Sequence, residues 1–202
     1  MSGVRNAFNC SFVACRTGLR KCWHFILCYR PHILTTYDQY HVLCLGLTGS
    51  GKSTLLAQLV GDNTNNIEPT NGFNIKTLPL NGMVLSIKEL GGSERVQMFW
   101  ANYYDGKHAL MFVMNLTSTE CNIDRSLDTL RMVLANPALR GRPCLVIGTH
   151  KDRPDARTKE QMEERLRDLM QDIRWAICCC SALDRHDIHQ AMTTLTALIA
   201  NQ

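Results

Sequence analysis

The chain has 202 residues, 45% hydrophobic and 20% charged, a composition that excludes a disordered or collagenous protein and suits one domain with an appendage. No apolar run reaches the length needed to cross a bilayer, and ten cysteines in a chain this long fall short of a disulfide scaffold, so they read as reduced intracellular thiols. The net charge of +4 sits at one end: residues 1–40 hold five Lys/Arg against a single acid, which leaves a neutral body and argues against a nucleic-acid binder.

Residues 1–39 read as a separate basic, cysteine-bearing segment, and a regular pattern begins at residue 40. Short apolar runs at 42–45, 109–114 and 144–148, with a weaker one at 175–178, fit strands buried on both faces of a parallel sheet. Between 72 and 90, two strand-like segments (72–78 and 83–90) flank Pro79-Leu80-Asn81-Gly82, where Asn-Gly signals a hairpin. Ile123, Leu127, Leu130 and Leu134 repeat at helical spacing. So do Met162, Leu166 and Leu169 behind a capping box of Thr158 and Gln161, and Ile188, Met192, Leu195 and Ile199 at the end. The expected fold is α/β: a mostly parallel six-stranded sheet with one antiparallel hairpin at its edge and helices on both faces.

One motif carries chemistry by itself. Gly46-Leu47-Thr48-Gly49-Ser50-Gly51-Lys52-Ser53, followed by Thr54, fits G-x-x-x-x-G-K-[ST] between a buried strand and an amphipathic helix. Its glycines let backbone N–H groups turn inward onto phosphate oxygens, Lys52 neutralises phosphate charge, and the Ser53 hydroxyl suits a Mg²⁺ ligand. The helix start adds its positive end. The motif does not separate a GTPase from a small kinase or another ATPase.

With further markers in order, residues 41–202 resemble the ADP-ribosylation-factor-like branch of the small GTPases. These markers are Glu68-Pro69-Thr70-Asn71-Gly72-Phe73-Asn74, Lys88-Glu89-Leu90-Gly91-Gly92, Thr149-His150-Lys151-Asp152 and Cys180-Ser181-Ala182, with Trp100 and Tyr103-Tyr104. The resemblance implies a P-loop small G domain that binds GTP or GDP with Mg²⁺. It implies that Thr70 contacts metal and terminal phosphate, that Ser53, Thr70 and Glu89 hold Mg²⁺, and that the Gly91 N–H reaches the same phosphate beside Gly92. It implies that Asp152 selects guanine, with Thr149, His150, Lys151, Cys180, Ser181 and Ala182 around the base. Phe73, Lys88, Trp100 and Tyr103 are expected on the effector-facing surface.

Four departures bear on activity. Ser93 stands where the family has a water-orienting glutamine, so hydrolysis through Lys52, Thr70, Gly92 and Ser93 is expected below the usual small-GTPase rate, itself on the order of 10⁻⁴ per second. Glu89 replaces an aspartate and moves the carboxylate by about 1.5 Å, against the tight octahedron of Mg²⁺. Thr149-His150 replaces Asn-Lys, with threonine still able to hydrogen-bond toward the phosphate loop. Lys88 replaces a tryptophan on the hairpin, which changes partner choice.

In the N-terminal segment Ser2 precedes Gly3, which argues against myristoylation. Cys10, Cys15, Cys22 and Cys28 lie among aromatic, aliphatic and basic residues, the two-signal pattern of acylation plus charge, with Cys22 and Cys28 favoured. An apolar helix packed on the domain and a mitochondrial presequence are the alternatives. His186 and His189 lack a third ligand at suitable spacing, and Cys178-Cys179-Cys180 reads as alternating strand positions rather than a zinc site.

The reading is a GTP-dependent switch, cytoplasmic and peripheral to a Golgi, endosomal or plasma membrane. Its partners are effectors, an exchange factor and an activating protein, with no nucleic acid, and the G domain is expected to be a monomer. A pseudo-GTPase scaffold is the alternative.

Overall fold

The computed structural model describes residues 38–201. The N-terminal segment 1–39, with Cys22 and Cys28, lies outside the described residues except for Asp38 and Gln39, which open the first strand. The elements run β1 (Asp38–Leu45), α1 (Lys52–Val60), β2 (Phe73–Leu80), β3 (Met83–Leu90) and a short α2 (Glu94–Gln97). A 3₁₀ turn (Trp100–Tyr103) leads to β4 (Ala109–Asn115), α3 (Glu120–Leu134) and a second 3₁₀ turn (Pro137–Leu139). Then follow β5 (Cys144–Thr149), α4 (Lys159–Arg167), β6 (Trp175–Cys179) and α5 (Arg185–Ala200).

The six strands form one sheet in the order β2-β3-β1-β4-β5-β6, with β2–β3 antiparallel and every other pair parallel. This is the expected mixed sheet. Because side chains alternate across a strand, Leu43 and Leu45 face one core layer and Val42 and Cys44 the other. The first layer is closed by Ile123, Leu127 and Leu130 of α3 and by Met162 and Leu166 of α4. The second is closed by Leu55 and Leu56 of α1 and by Ile188, Met192 and Leu195 of α5. Both faces are covered, so β1, β4 and β5 read as unbroken apolar runs.

Two local features differ in extent from the sequence pattern. The hairpin turn is only two residues, Asn81 (φ 51°) and Gly82 (φ 76°), and β2 continues through Pro79 and Leu80, paired with Val84 and Met83. Proline is tolerated there because β2 is an edge strand. The α4 helix ends at Arg167, so Leu169 packs on the core from beyond it. The capping box forms as expected: Thr158 Oγ1 accepts Gln161 N–H at 3.3 Å, and Gln161 Oε1 accepts Thr158 N–H at 2.9 Å.

This topology puts a reversal of strand order at β1, with β3 on one side and β4 on the other. Ligands of open α/β sheets bind outside the carboxyl ends of strands at such a point, and the phosphate loop leaves β1 there.

Candidate functional site

The loop after β1 closes tightly on its neighbours. Gly46 (φ 149°) passes so near β4 that a Cβ would lie 2.2 Å from Val113 O, which only glycine permits. Lys52, 5% exposed, folds back over the loop, and its Nζ donates to Gly46 O and Leu47 O, each at 2.9 Å. Burial pulls the Lys52 ammonium below its ordinary range, opposed by the Cys44 thiol and the Glu89 carboxylate. A cleft of about 320 Å³ opens above, lined by Gly51, Lys52, Ser53, Thr70, Glu89 and His150 among others, with Thr48, Gly49, Thr54, Gly92 and Ser93 also on its wall.

Three oxygens from three segments meet in this cleft. Ser53 Oγ, in the first turn of α1, lies 3.1 Å from Thr70 Oγ1 in the loop before β2. Ser53 also donates to Glu89 Oε1 at the end of β3, and Thr70 Oγ1 donates to the same oxygen at 3.4 Å. Glu89 is 1% exposed. Two hydroxyls and a carboxylate are hard oxygen donors of the kind Mg²⁺ takes, so the residues expected to hold that ion fit it. The longer glutamate reaches the Ser53 hydroxyl directly.

The segment after β3 lies on the loop through Gly92 rather than Gly91. The Gly91 N–H, expected to reach a phosphate, donates instead to Gly72 O at 2.9 Å. Gly92 O accepts Thr48 N–H at 3.2 Å and Gln97 Nε2 at 2.7 Å. A Cβ on Gly92 would sit 2.4 Å from Gly46 O. Ser93 caps α2 with its carbonyl, which accepts the Val96 and Gln97 N–H groups, each at 2.9 Å.

The effector-facing residues divide. Phe73 is half exposed, its ring centroid is 5.9 Å from that of Tyr103, and Lys88 Nζ lies 4.8 Å from the Phe73 ring and 5.0 Å from the Tyr103 ring. The lysine therefore takes a cation–π position over both rings. Trp100 corrects the expectation: it is 2% exposed, and its indole N–H donates to Gly91 O at 2.9 Å. It holds the backbone of this segment and presents no face to a partner. Ile75, Met98 and Phe99 are exposed in its stead.

On the base side, Thr149 Oγ1 donates to Ser50 O at 2.9 Å, the link to the phosphate loop expected of it, and lies 2.9 Å from His150 Nδ1. His150 adopts a left-handed φ of 64° and lines the cleft. Asp152 is brought beside Ser181, whose side-chain hydrogen bond holds the Asp152 carboxyl below its ordinary range. The Cys180 side chain is 1% exposed, packs in the core with Ile188 and Met192, and donates its thiol to Asp187 O. The Lys151 side chain is also taken up, as Nζ pairs with Asp187 Oδ1 at 2.5 Å. Among the described residues no cluster of three or more metal-ligating His, Cys, Asp or Glu occurs, and no helix is long and apolar enough to cross a membrane.

Sequence reasoning missed Gln97 and Asp187. Neither belongs to a motif. An acid in the first turn of α5 is ordinary compensation for the helix dipole, so nothing in the sequence sets Asp187 apart.

The model of the ADP-ribosylation factor family matches residues 31–199. The chain is 31% identical over 180 residues to ADP-ribosylation factor-like protein 15 of Homo sapiens, covering 88% of this chain and 87% of that protein. It is 32% identical over 157 residues to ADP-ribosylation factor-like protein 3 of Caenorhabditis elegans, covering 77% and 85% respectively. Among solved structures, the Arl6 BBS3 small GTPase of Trypanosoma brucei with the bound nucleotide analogue GppNp shares the fold, with a TM-score of 0.73 at 24% identity, covering 82% of this chain and 99% of that one.

Proposed function

The chain belongs to the ADP-ribosylation factor family, and from that premise we propose that it is a guanine-nucleotide switch that recruits effectors at a membrane when GTP-bound and hydrolyses GTP slowly. The observation that carries this reading is the meeting of Ser53, Thr70 and Glu89 in one cleft above Lys52. Thr70 lies on the loop before β2, and Gly92 follows β3. Both loops touch the phosphate loop where a terminal phosphate would lie, so one phosphoryl group can hold or release both.

Lys52 supplies fixed positive charge to the phosphates, and Asp152 accepts the N1–H and N2–H of guanine, which adenine lacks. Ser53, Thr70 and Glu89 would hold Mg²⁺, which neutralises phosphate charge when bound. Ser93 offers a hydroxyl too short to orient an attacking water as an amide does, which supports slow hydrolysis. Phe73, Lys88 and Tyr103 form the surface on which an effector reads the state. Acylation of Cys22 and Cys28 beside basic residues would anchor the chain to a Golgi, endosomal or plasma membrane.

Nucleotide analysis of protein purified from cells tests the switch: bound GDP and GTP support it, and bound adenine nucleotide or none refutes it. Serine at Cys10, Cys15, Cys22 and Cys28 should release the chain from membrane fractions; unchanged association refutes the anchor. The absence of an amide at Ser93 favours a second reading, a scaffold that does not cycle. Equal effector affinity with GDP and with a non-hydrolysable GTP analogue would establish it, because a ligand without differential affinity shifts nothing.

A further inference from the structure

The turn that carries Asp152 is tied to the turn after β6 by contacts that converge on Asp187. This residue lies in the first turn of α5 and is 9% exposed. Both of its carboxylate oxygens are engaged. Oδ1 takes Lys151 Nζ at 2.5 Å, and Oδ2 accepts the Ser181 backbone N–H at 3.1 Å. The Lys151 backbone N–H in turn donates to Cys180 O at 3.4 Å. The contacts therefore close a ring: Lys151 to Asp187, Asp187 to Ser181, and Cys180 back to Lys151.

Asp152 and Ala182 are the next residues along the chain from Lys151 and Ser181, so both sides of the candidate base site hang from this ring. A carboxylate so enclosed is costly unless its partners are in place. Its partners here come from the two turns that must face each other across a base. The Asp187 hydrogen bond also holds the Lys151 ammonium above its ordinary range.

We propose that Asp187 is a positioning residue for base recognition: by gripping Lys151 and the Ser181 backbone together, it fixes the spacing between Asp152 and the turn at Ala182, and with it the selectivity for guanine. The proposal rests on the guanine-nucleotide reading above and adds a determinant outside the base-site motifs themselves.

The test compares GTP with inosine triphosphate, which carries the same phosphates and ribose but lacks the N2 amino group that Asp152 would accept. Affinities are measured by fluorescence competition on the full chain. Asp187→Ala should cut the preference for GTP over inosine triphosphate about tenfold, the scale of losing one hydrogen bond to a charged group. Lys151→Met removes only the partner whose side chain is 40% exposed, and it should cut the preference about threefold with the fold intact. Asp152→Ala should abolish the preference, and adding Asp187→Ala to it should change nothing more. General loosening of the pocket would lower both affinities together, so an unchanged ratio in the variants overturns the proposal. If Asp187→Ala fails to fold, an unchanged ratio in Lys151→Met overturns it alone. Wild-type protein without preference for GTP over ATP overturns the guanine-nucleotide reading and this proposal with it, whereas a selective wild type with unmoved variants overturns only the proposal.

Discussion

Replacing Gly92 with alanine should separate GTP binding from GDP binding. A Cβ there would lie 2.4 Å from Gly46 O, 2.4 Å from the Leu47 carbonyl carbon and 2.5 Å from Thr48 N, all backbone atoms that cannot rotate away. Ordinary contact begins at 3.4 Å, so the segment after β3 must lift from the phosphate loop by about 1 Å. That movement stretches the bond from Thr48 N–H to Gly92 O, now 3.2 Å, beyond useful range. Losing that bond costs up to about 1.5 kcal/mol, or about tenfold in affinity. The cost falls only on a ligand that needs this segment in place. Equilibrium titration should therefore show about tenfold weaker binding of a non-hydrolysable GTP analogue, with GDP binding within about twofold of wild type. Equal weakening of both nucleotides, or of neither, would refute the argument that Gly92 serves the terminal phosphate.

Other outcomes follow from the same geometry. Thr149→Val keeps the shape but strips the hydroxyl that donates to the buried Ser50 O, and urea denaturation should show a loss of about 1–3 kcal/mol. Ser93→Gln restores an amide at the start of α2 and should raise single-turnover GTP hydrolysis about tenfold or more, whereas Ser93→Ala should leave the rate within about twofold. Burial pushes the Cys44 thiol well above its ordinary range and the Cys144 thiol up to about 12, while Cys121 is exposed. Alkylation at pH 8 followed by peptide mapping should thus label Cys121 in the folded protein and reach Cys44 and Cys144 only after denaturation.

The sheet was legible because its signals are local. Asn81-Gly82 marks a two-residue turn through backbone chemistry alone, and the buried strands announce themselves as unbroken apolar runs at Val42, Leu110 and Leu145. The alternation of Cys178, Cys179 and Cys180 between the two core layers follows from strand geometry in the same way. What was not legible depends on contacts between distant segments. Whether Trp100 faces solvent or the core is decided by the Gly91 carbonyl beneath its indole. Whether Gly91 or Gly92 meets the phosphate loop is decided by Gly72, whose carbonyl takes the Gly91 N–H. Asp187 gains its role only because β5 and β6 bring Lys151 and Ser181 together in front of α5. No spacing rule links those three residues.

On the proposed switch, a bound terminal phosphate holds the loop at Thr70 and the segment at Gly92 on the cradle around Lys52. Amide hydrogen exchange on the full chain, with GDP and with a non-hydrolysable GTP analogue, reads both segments at once. Slower exchange across residues 66–72 and 91–98 in the triphosphate state alone is the predicted result. Identical exchange with both nucleotides would rule such a switch out.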